Sequence, residues 1–475
     1  MRFPAFLKRL KKITGADGVL DRPEDLALYE YDGGMAHETP RAVVLPRTTA
    51  QVAAIVRLCN QADVAVVPRG AGTGLSGGSI ARAGSIVLAL VRMNRILEVD
   101  IPNQRAVVQP GVVNLELSNA VAAQGWYFAP DPSSQKACTI GGNVAENSGG
   151  PHTLAYGVTV NHVTGVEVVL PDGRIAEFGG KALDGCGYDL TGFFVGSEGT
   201  IGIATRITVR LSKLPEKVAT LLAIFNTVED AAQTVAAITA EGITPAALEM
   251  LDAIMLRAVE AYVHAGYPLD AAAVLLIELE GLAEAVAEQV EAVSAVCRRQ
   301  NAREVRVAKD ARERQLLWAG RKGAFGAVGR IAPSCYVQDG VIPRTHIPET
   351  LRFIADVAKK YELVIGNVFH AGDGNLHPLI LFDARDAEQT RRTLLAGKEI
   401  LAHCVEVGGS ITGEHGVGME KNDYMPLLFS EQDLSLMAGL RDTFNPRSIL
   451  NPQKVLPATR SCREVRAADF PGVVA

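Results

Sequence analysis

The segment PRGAGTGLSGG, residues 68–78, constrains the fold more than any other stretch. It contains Gly72-Thr73-Gly74-Leu75-Ser76-Gly77, a formal match to G-x-G-x-x-G. A dinucleotide-binding Rossmann unit needs a strand before that motif and a helix directly after it, so that the pyrophosphate meets a helix N-terminus. The strand ADVAVVP precedes it, but the chain continues through GGSIARAG into a second strand, SIVLAL. The segment therefore reads either as a tight surface turn or as a loop whose bare backbone N–H groups cradle an anion. Two further loops share its chemistry: PDPSSQKACTIGGNVAENSGG at 130–150 and FVGSEGTIGI at 194–203. Three such loops in one domain imply an extended ligand with a diphosphate and a flat ring system.

These loops lie among short β-branched strands between residues 41 and 211, such as RAVVLP, RAVVQPG and GIATRITVRL. Helical patches separate them, notably DRPEDLALYEYD and TTAQVAAIVRLCNQA, where Thr49 is placed to cap and Val52, Ile55, Val56 and Cys59 recur at helical spacing. After residue 213 strands and helices alternate regularly: VATLLAIF, VEDAAQTVAAITAEG, AALEML, DAIMLRAVEAYV, AAAVLLIELEG, then a long helix to Arg299. That pitch predicts a sheet with helices on one face. The expected division is 1–215, 216–455 and a tail at 456–475, of α+β class. No internal repeat is evident.

Of the 475 residues 48% are hydrophobic and 21% charged, the balance of a globular protein with a sizeable core. A net charge of −6 leaves no electrostatic footprint for nucleic acid. The seven cysteines (Cys59, Cys138, Cys186, Cys297, Cys335, Cys404, Cys462) never form a C-x-x-C pair. That argues against a disulfide framework or an iron–sulfur cluster carried by this chain alone, and for the reducing cytoplasm. The start, MRFPAFLKRLKKITG, lacks the apolar core of a signal peptide, and no apolar run is long enough to span a bilayer. Membrane contact is expected only through partners.

The stretch NVFHAGDGNLHPLI, residues 367–380, sets His370 and His377 on either side of a glycine-rich turn. Histidines in such hairpins pair with carboxylates in many ordinary proteins, but two strands joined this way can also project both rings to one side. Glu414, in GSITGEHGVG, is available as a third metal ligand. Asp373 competes for that role, although an Asp in a Gly-Asp-Gly turn more often bonds its own backbone. Two imidazoles and one carboxylate leave coordination positions open, a catalytic pattern that suits zinc, iron or manganese.

PRGAGTGLSGG, IGGNVAENSGGPHTLAYG, VEVVLPDGR and VGSEGTIGI resemble the FAD-binding domain of the vanillyl-alcohol oxidase type. RKGAFGAVGRIAP, NVFHAGDGNLHPLILFDA, CVEVGGSITGEHGVG and NPQK resemble the C-terminal domain of the FAD-linked 2-hydroxy-acid dehydrogenases, so that the likeness spans nearly the whole chain. It implies a two-part FAD-binding domain, a ferredoxin-like α+β substrate domain and C-terminal helices. By resemblance the flavin contacts would come from Arg69, Gly70, Ala71, Gly72, Thr73, Gly74, Ser76 and Gly77 in the first loop. Pro130, Asp131, Ser133, Thr139, Gly141, Gly142, Asn143, Asn147, Ser148, Gly149, Tyr156 and Gly157 would follow in the second. Glu198, Gly202 and Ile203 would lie along the adenosine end, with Asn451 completing the set. FAD would be non-covalent, since the first loop has no histidine.

An open divalent cation beside a flavin suits oxidation of a 2-hydroxy acid, whose hydroxyl and carboxylate can chelate it. His415 next to Glu414 is the expected base, because imidazole titrates near neutrality. The resemblance assigns the same roles to His370, His377, Glu414 and His415. It also marks Arg321 as the clamp for the substrate carboxylate, where the residue alone would read as a solvated helix arginine. Asn375 would orient substrate or complete the turn. Phe325, Val337 and Leu379 replace polar residues of the D-2-hydroxyglutarate branch, which favours a small monocarboxylate such as glycolate, giving glyoxylate, or D-lactate. Electrons are expected to leave through an iron–sulfur partner subunit, alongside a second flavin-domain subunit, toward quinone at the inner membrane face. A D-lactate or D-2-hydroxyglutarate dehydrogenase, a non-catalytic flavin-binding assembly subunit and a metal-dependent hydrolase are the competing readings.

Overall fold

The computed structural model describes residues 2–457 except 83, 183, 184 and 186, so Cys186, Cys462 and all but the first residues of the expected tail lie outside the described residues. The first domain is built on two small sheets. In one, strand Ile86–Ala89 lies between Val43–Val44 and Val66–Arg69, parallel to both, with Val19–Leu20 antiparallel at the edge. Parallel neighbours need a crossover, usually helical. Here the crossover from Arg69 to Ile86 is the first glycine loop itself, with no helix among its described residues, as its sequence context anticipated. Helix Thr49–Ala62 covers this sheet with Val52, Ile55, Val56 and Cys59, joined by Phe6 and Leu10 of helix Phe3–Thr14. The cap is Thr48, not Thr49: the hydroxyl that accepts from the Gln51 N–H stands on the last residue with extended backbone. The second sheet is antiparallel, in the order Ile96–Asp100, Arg105–Val108, Ile203–Arg210, Val163–Val169, Ile175–Gly179.

In the second domain, strand Lys217–Phe225, helix Val228–Ala240, strands Ala247–Asp252 and Ala273–Gly281 with helix Ala253–Val263 between them, helix Ala283–Arg299 and strand Glu304–Val307 follow in order. The strands pair antiparallel in the spatial order fourth, first, third, second. That is the ferredoxin-like arrangement. The same order of elements then recurs in part: strand Ser334–Val337, helix Ile347–Tyr361, strands Val364–His370 and Pro378–Phe382, helix Ala387–Glu406. The two units join edge to edge through their second strands, so that Glu249 stands opposite His370, Met250 opposite Phe369 and Leu251 opposite Val368.

Helices cover both faces of this sheet rather than the one face expected. Leu221, Ala223 and Phe225 pack with Val235, Val293, Leu351 and Ile400 on one side. Leu222, Ile224 and Leu276 pack with Leu256, Leu317 and Trp318 on the other. VATLLAIF is apolar at successive positions without alternation, the mark of a strand buried twice. Beyond helix Glu431–Phe444 the chain returns to the first domain, where Leu450 bridges Val66.

Candidate functional site

One cavity of about 530 Å³ runs from the glycine loops of the first domain to the histidines of the second. Its wall includes Arg69, Gly70, Ala71, Gly72, Thr73 and Gly74 of the first loop, and Ser133, Thr139, Gly141, Gly142, Asn143 and Ser148 of the second. Glu198, Gly202 and Ile203 follow, then Arg321, His377, Glu414 and His415. The glycines serve two ends. Gly72 and Gly77 have φ of +73° and +74°, and a Cβ on either would collide with Arg69 or Met419, so the fold itself requires them. A Cβ on Gly74 meets nothing nearer than Glu146 Oε1 at 3.9 Å, and one on Gly142 nothing nearer than Thr139 Oγ1 at 3.4 Å. Room that protein packing leaves open, lined by backbone, is what a diphosphate and ring system would fill.

Other residues expected at the flavin stand behind this wall. The Asn451 amide donates to the Gly78 and Glu198 carbonyls, and the buried Lys454 ammonium donates to those of Gly77 and Ile80. Ser76 accepts from the Met419 and Glu420 N–H groups through its carbonyl. The C-terminal segment thus straps the first loop from outside. Pro130 accepts from Asn114, Asn147 accepts from the Val160 N–H, the Tyr156 hydroxyl donates to Glu280, and Gly157, at φ +77°, ends helix Thr153–Tyr156. Asp131 accepts from His152 and Lys322, both at 2.9 Å. Gly149 lies against Glu414, where a Cβ would come within 3.1 Å of Oε2, so the second glycine-rich loop abuts the histidine cluster.

At the other end of the cavity the joined edge strands and the loop after helix Ala387–Glu406 bring His370, His377 and Glu414 together, their ligand atoms within 4.8 Å of one another. His370 Nε2 and His377 Nε2 each lie 3.2 Å from Glu414 Oε1. Glu414 Oε2 is buried with no hydrogen-bond partner, and His377 Nε2, although close to Oε1, is not in hydrogen-bonding geometry with it. Burial alone would lower the His370 imidazole, but the Glu249 and Glu414 carboxylates hold it well above its ordinary value. The same concentration of negative charge favours a cation. Asp373 accepts from the Asn375 N–H at 3.0 Å within its own turn, the backbone role anticipated for it.

Two carboxylates that sequence reasoning missed organise the cluster. Glu249 is fully buried and accepts from both His370 Nδ1, at 2.8 Å, and Arg321 Nε, at 2.6 Å. Arg321 is thereby buried and fixed, not solvated. Asp339 accepts from Asn375 Nδ2 at 2.8 Å, Lys421 Nζ at 3.1 Å, the Thr412 hydroxyl and the backbone N–H groups of Gly413, Glu414 and His415. It therefore shapes the loop that carries Glu414 and His415, and Asn375 serves it from outside the cavity wall. Asp339, His377 and His415 also lie close enough to share a cation, but the carboxylate is saturated and faces the Lys421 ammonium, so His370, His377 and Glu414 fit better. Burial lowers the His415 imidazole to about 4, against the pull of Asp339. Its ring stacks on that of His377 at 4.9 Å. Glu198 holds the same loop by accepting from the Val417 and Gly418 N–H groups, each at 2.7 Å. Glu146, also missed, lines the cavity with a buried, unpartnered Oε2. The available signal was a lone acid inside an apolar strand, ALEML, or among small residues, VAENSGG.

Residues 40–179 match the FAD binding domain family, and residues 214–455 match the family of FAD linked oxidases, C-terminal domain. Over 450 residues the chain is 47% identical to the glycolate oxidase subunit GlcD of Escherichia coli, covering 94% of this chain and 90% of the relative. Over 441 residues it is 32% identical to a D-lactate dehydrogenase of Anaerostipes hadrus, covering 91% of each. The crystal structure of p-cresol methylhydroxylase with substrate bound superposes with a TM-score of 0.81 at 19% identity, over 96% of this chain and 97% of that one, which shows a shared fold of the vanillyl-alcohol oxidase type.

Proposed function

The chain belongs to the FAD-linked oxidases, and from that premise we propose that it oxidises a small 2-hydroxy acid, glycolate first and D-lactate second, with a divalent cation at His370, His377 and Glu414. The observation that carries this reading is the single cavity joining the glycine loops to the histidine cluster, with Arg321 and His415 on its wall. FAD bound along Arg69–Gly74 and the second loop would supply a two-electron acceptor, and a cation would supply Lewis acidity to the hydroxyl. Arg321 binds the substrate carboxylate, held in place by Glu249. That one carboxylate also orients His370, so clamp and ligand are set by the same group. His415, kept neutral by burial, accepts the hydroxyl proton, and Asp339 fixes its backbone. Asn375 positions Asp339 rather than touching substrate. Phe325, Val337 and Leu379 line the cavity near Arg321 and offer a second carboxylate no polar partner, which disfavours 2-hydroxyglutarate.

The Escherichia coli relative is by name one subunit of its oxidase. Electrons from this chain are accordingly proposed to leave through an iron–sulfur partner, with any membrane contact made by partners. No helix among the described residues is long and apolar enough to cross a membrane. The test is anaerobic bleaching of the FAD-loaded protein by glycolate, D-lactate, L-lactate and 2-hydroxyglutarate. Glycolate and D-lactate should bleach it, L-lactate and 2-hydroxyglutarate weakly or not at all. Bound flavin that no 2-hydroxy acid bleaches would overturn the catalytic reading in favour of an assembly subunit.

A further inference from the structure

Asp131 leaves the flavin cavity to face the second domain, and the groups it meets form one continuous polar chain. His152, from the second flavin loop, bonds Asp131 through Nδ1 at 2.9 Å and Glu278 of strand Ala273–Gly281 through Nε2 at 3.2 Å. Glu278 is almost wholly buried in the middle of the sheet, and it accepts from Arg314 Nε and Nη2, each at 2.9 Å, from Trp318 Nε1 at 2.5 Å and from Thr220 Oγ1 at 2.7 Å. Arg314 and Trp318 belong to helix Ala311–Lys322, whose last turn carries Arg321. The helix also closes back on the flavin domain, since Lys322 Nζ lies 2.9 Å from Asp131 Oδ2 and the His152 ring stacks on Trp318 at 5.6 Å.

We propose that His152 is a positioning residue that latches the helix bearing Arg321 to the second flavin loop through the Asp131–His152–Glu278 chain. The proposal rests on the reading of Arg321 as the carboxylate clamp. The latch bridges two carboxylates from different domains, which only a doubly protonated ring can do with both nitrogens donating. Burial would depress that ring, but Asp131 and Glu278 outweigh it and hold it at about 10, so it stays charged at neutral pH. Lys322 and Arg314 balance the two acids from the helix side. No group of the latch belongs to the histidine cluster, so loosening it should displace Arg321 without removing flavin, cation site or base.

The experiment uses the full-length, FAD-loaded protein carrying His152→Ala, His152→Gln, Asp131→Ala and the His152→Ala/Asp131→Ala pair, with Arg321→Lys alongside. Each latch variant should raise KM for glycolate about tenfold while the limiting rate of flavin reduction changes by less than about threefold, and the pair should do no more than either alone. His152→Gln, whose amide can still donate to one of the two acids, should recover part of the loss. A second readout does not depend on the role of Arg321. The chain has two tryptophans, so Trp126→Phe leaves Trp318 as sole emitter. Asp131→Ala should then shift its emission as His152→Ala does, although the bonds of Asp131 reach Trp318 only by way of His152 and Lys322. KM unchanged in the latch variants while Arg321→Lys raises it would overturn the latch alone. KM unchanged in Arg321→Lys would overturn the clamp, and the Trp318 emission would then decide the latch. Additive effects in the pair, or Trp318 emission indifferent to Asp131→Ala, would show His152 to be local packing only.

Discussion

The two ends of the cavity are built from different materials. The end proposed for flavin is built on glycine-rich backbone and small side chains, its loop carbonyls held from behind by Asn451 and Lys454. The other end is side chain throughout, with three histidines, the buried carboxylates of Glu249 and Asp339, the half-buried Glu414 and an arginine, each holding another. A backbone cradle tolerates changes of side chain but not an added Cβ, whereas a side-chain cluster tolerates small changes of backbone and fails when one functional group is lost. Damage at one end should leave the other intact.

The largest test of that contrast is His377→Ala. Losing one of the three proposed ligands should reduce flavin reduction by glycolate by about 10³-fold or more, since an unassisted hydroxyl forgoes several kcal/mol of charge stabilisation. FAD content should stay at the parent level; parallel loss of flavin and metal would mean that the two ends are one unit. His415→Asn comes next, with a fall of about 10²- to 10⁴-fold, the share of a general base, and with metal and FAD retained. In the parent the reduction rate should be flat from neutrality down and decline only as pH approaches about 4, where His415 takes up a proton and ceases to accept one. Stopped-flow traces across pH in which His415→Asn keeps that decline would move the base elsewhere.

At the flavin end the glycines separate cradle from fold. Gly74→Val puts methyl groups where only ligand space exists, so FAD binding should weaken about tenfold to a hundredfold, equivalent to about 1–3 kcal/mol of overlap, with the melting temperature of the flavin-free protein unchanged. Gly77→Val, at positive φ and with its Cβ 2.5 Å from Met419, should lower that melting temperature instead. Equal behaviour of the two by thermal melts and flavin titration would erase the distinction. The smallest effect is expected from Lys454→Met. It strands two buried carbonyls and should lower stability by about 1–3 kcal/mol in denaturant titrations, with turnover per bound flavin preserved.

The same contrast decides what was legible in the sequence. Glycine loops announce themselves, because backbone cradles concentrate their requirement within a few neighbouring residues, and H-x₆-H and GEHG are nearly as local. Asp339 and Glu249 were not legible. Glu249 acts on His370 from 121 residues away and Asp339 on Asn375 from 36, and neither stands in a pattern that names its partner. The second unit escaped notice because only the order of strands and helices recurs. Helices on both faces were missed because an unbroken apolar strand was read as though one side were wet.

The strap behind the first glycine loop bears on how the protein is made. Lys454 and Gly77 are 377 residues apart in sequence, so nearly the whole chain must leave the ribosome before the carbonyls of that loop find their donors. If that loop holds flavin as proposed, capture should come late in biosynthesis, and a chain that ends short of residue 451 should fail to hold flavin.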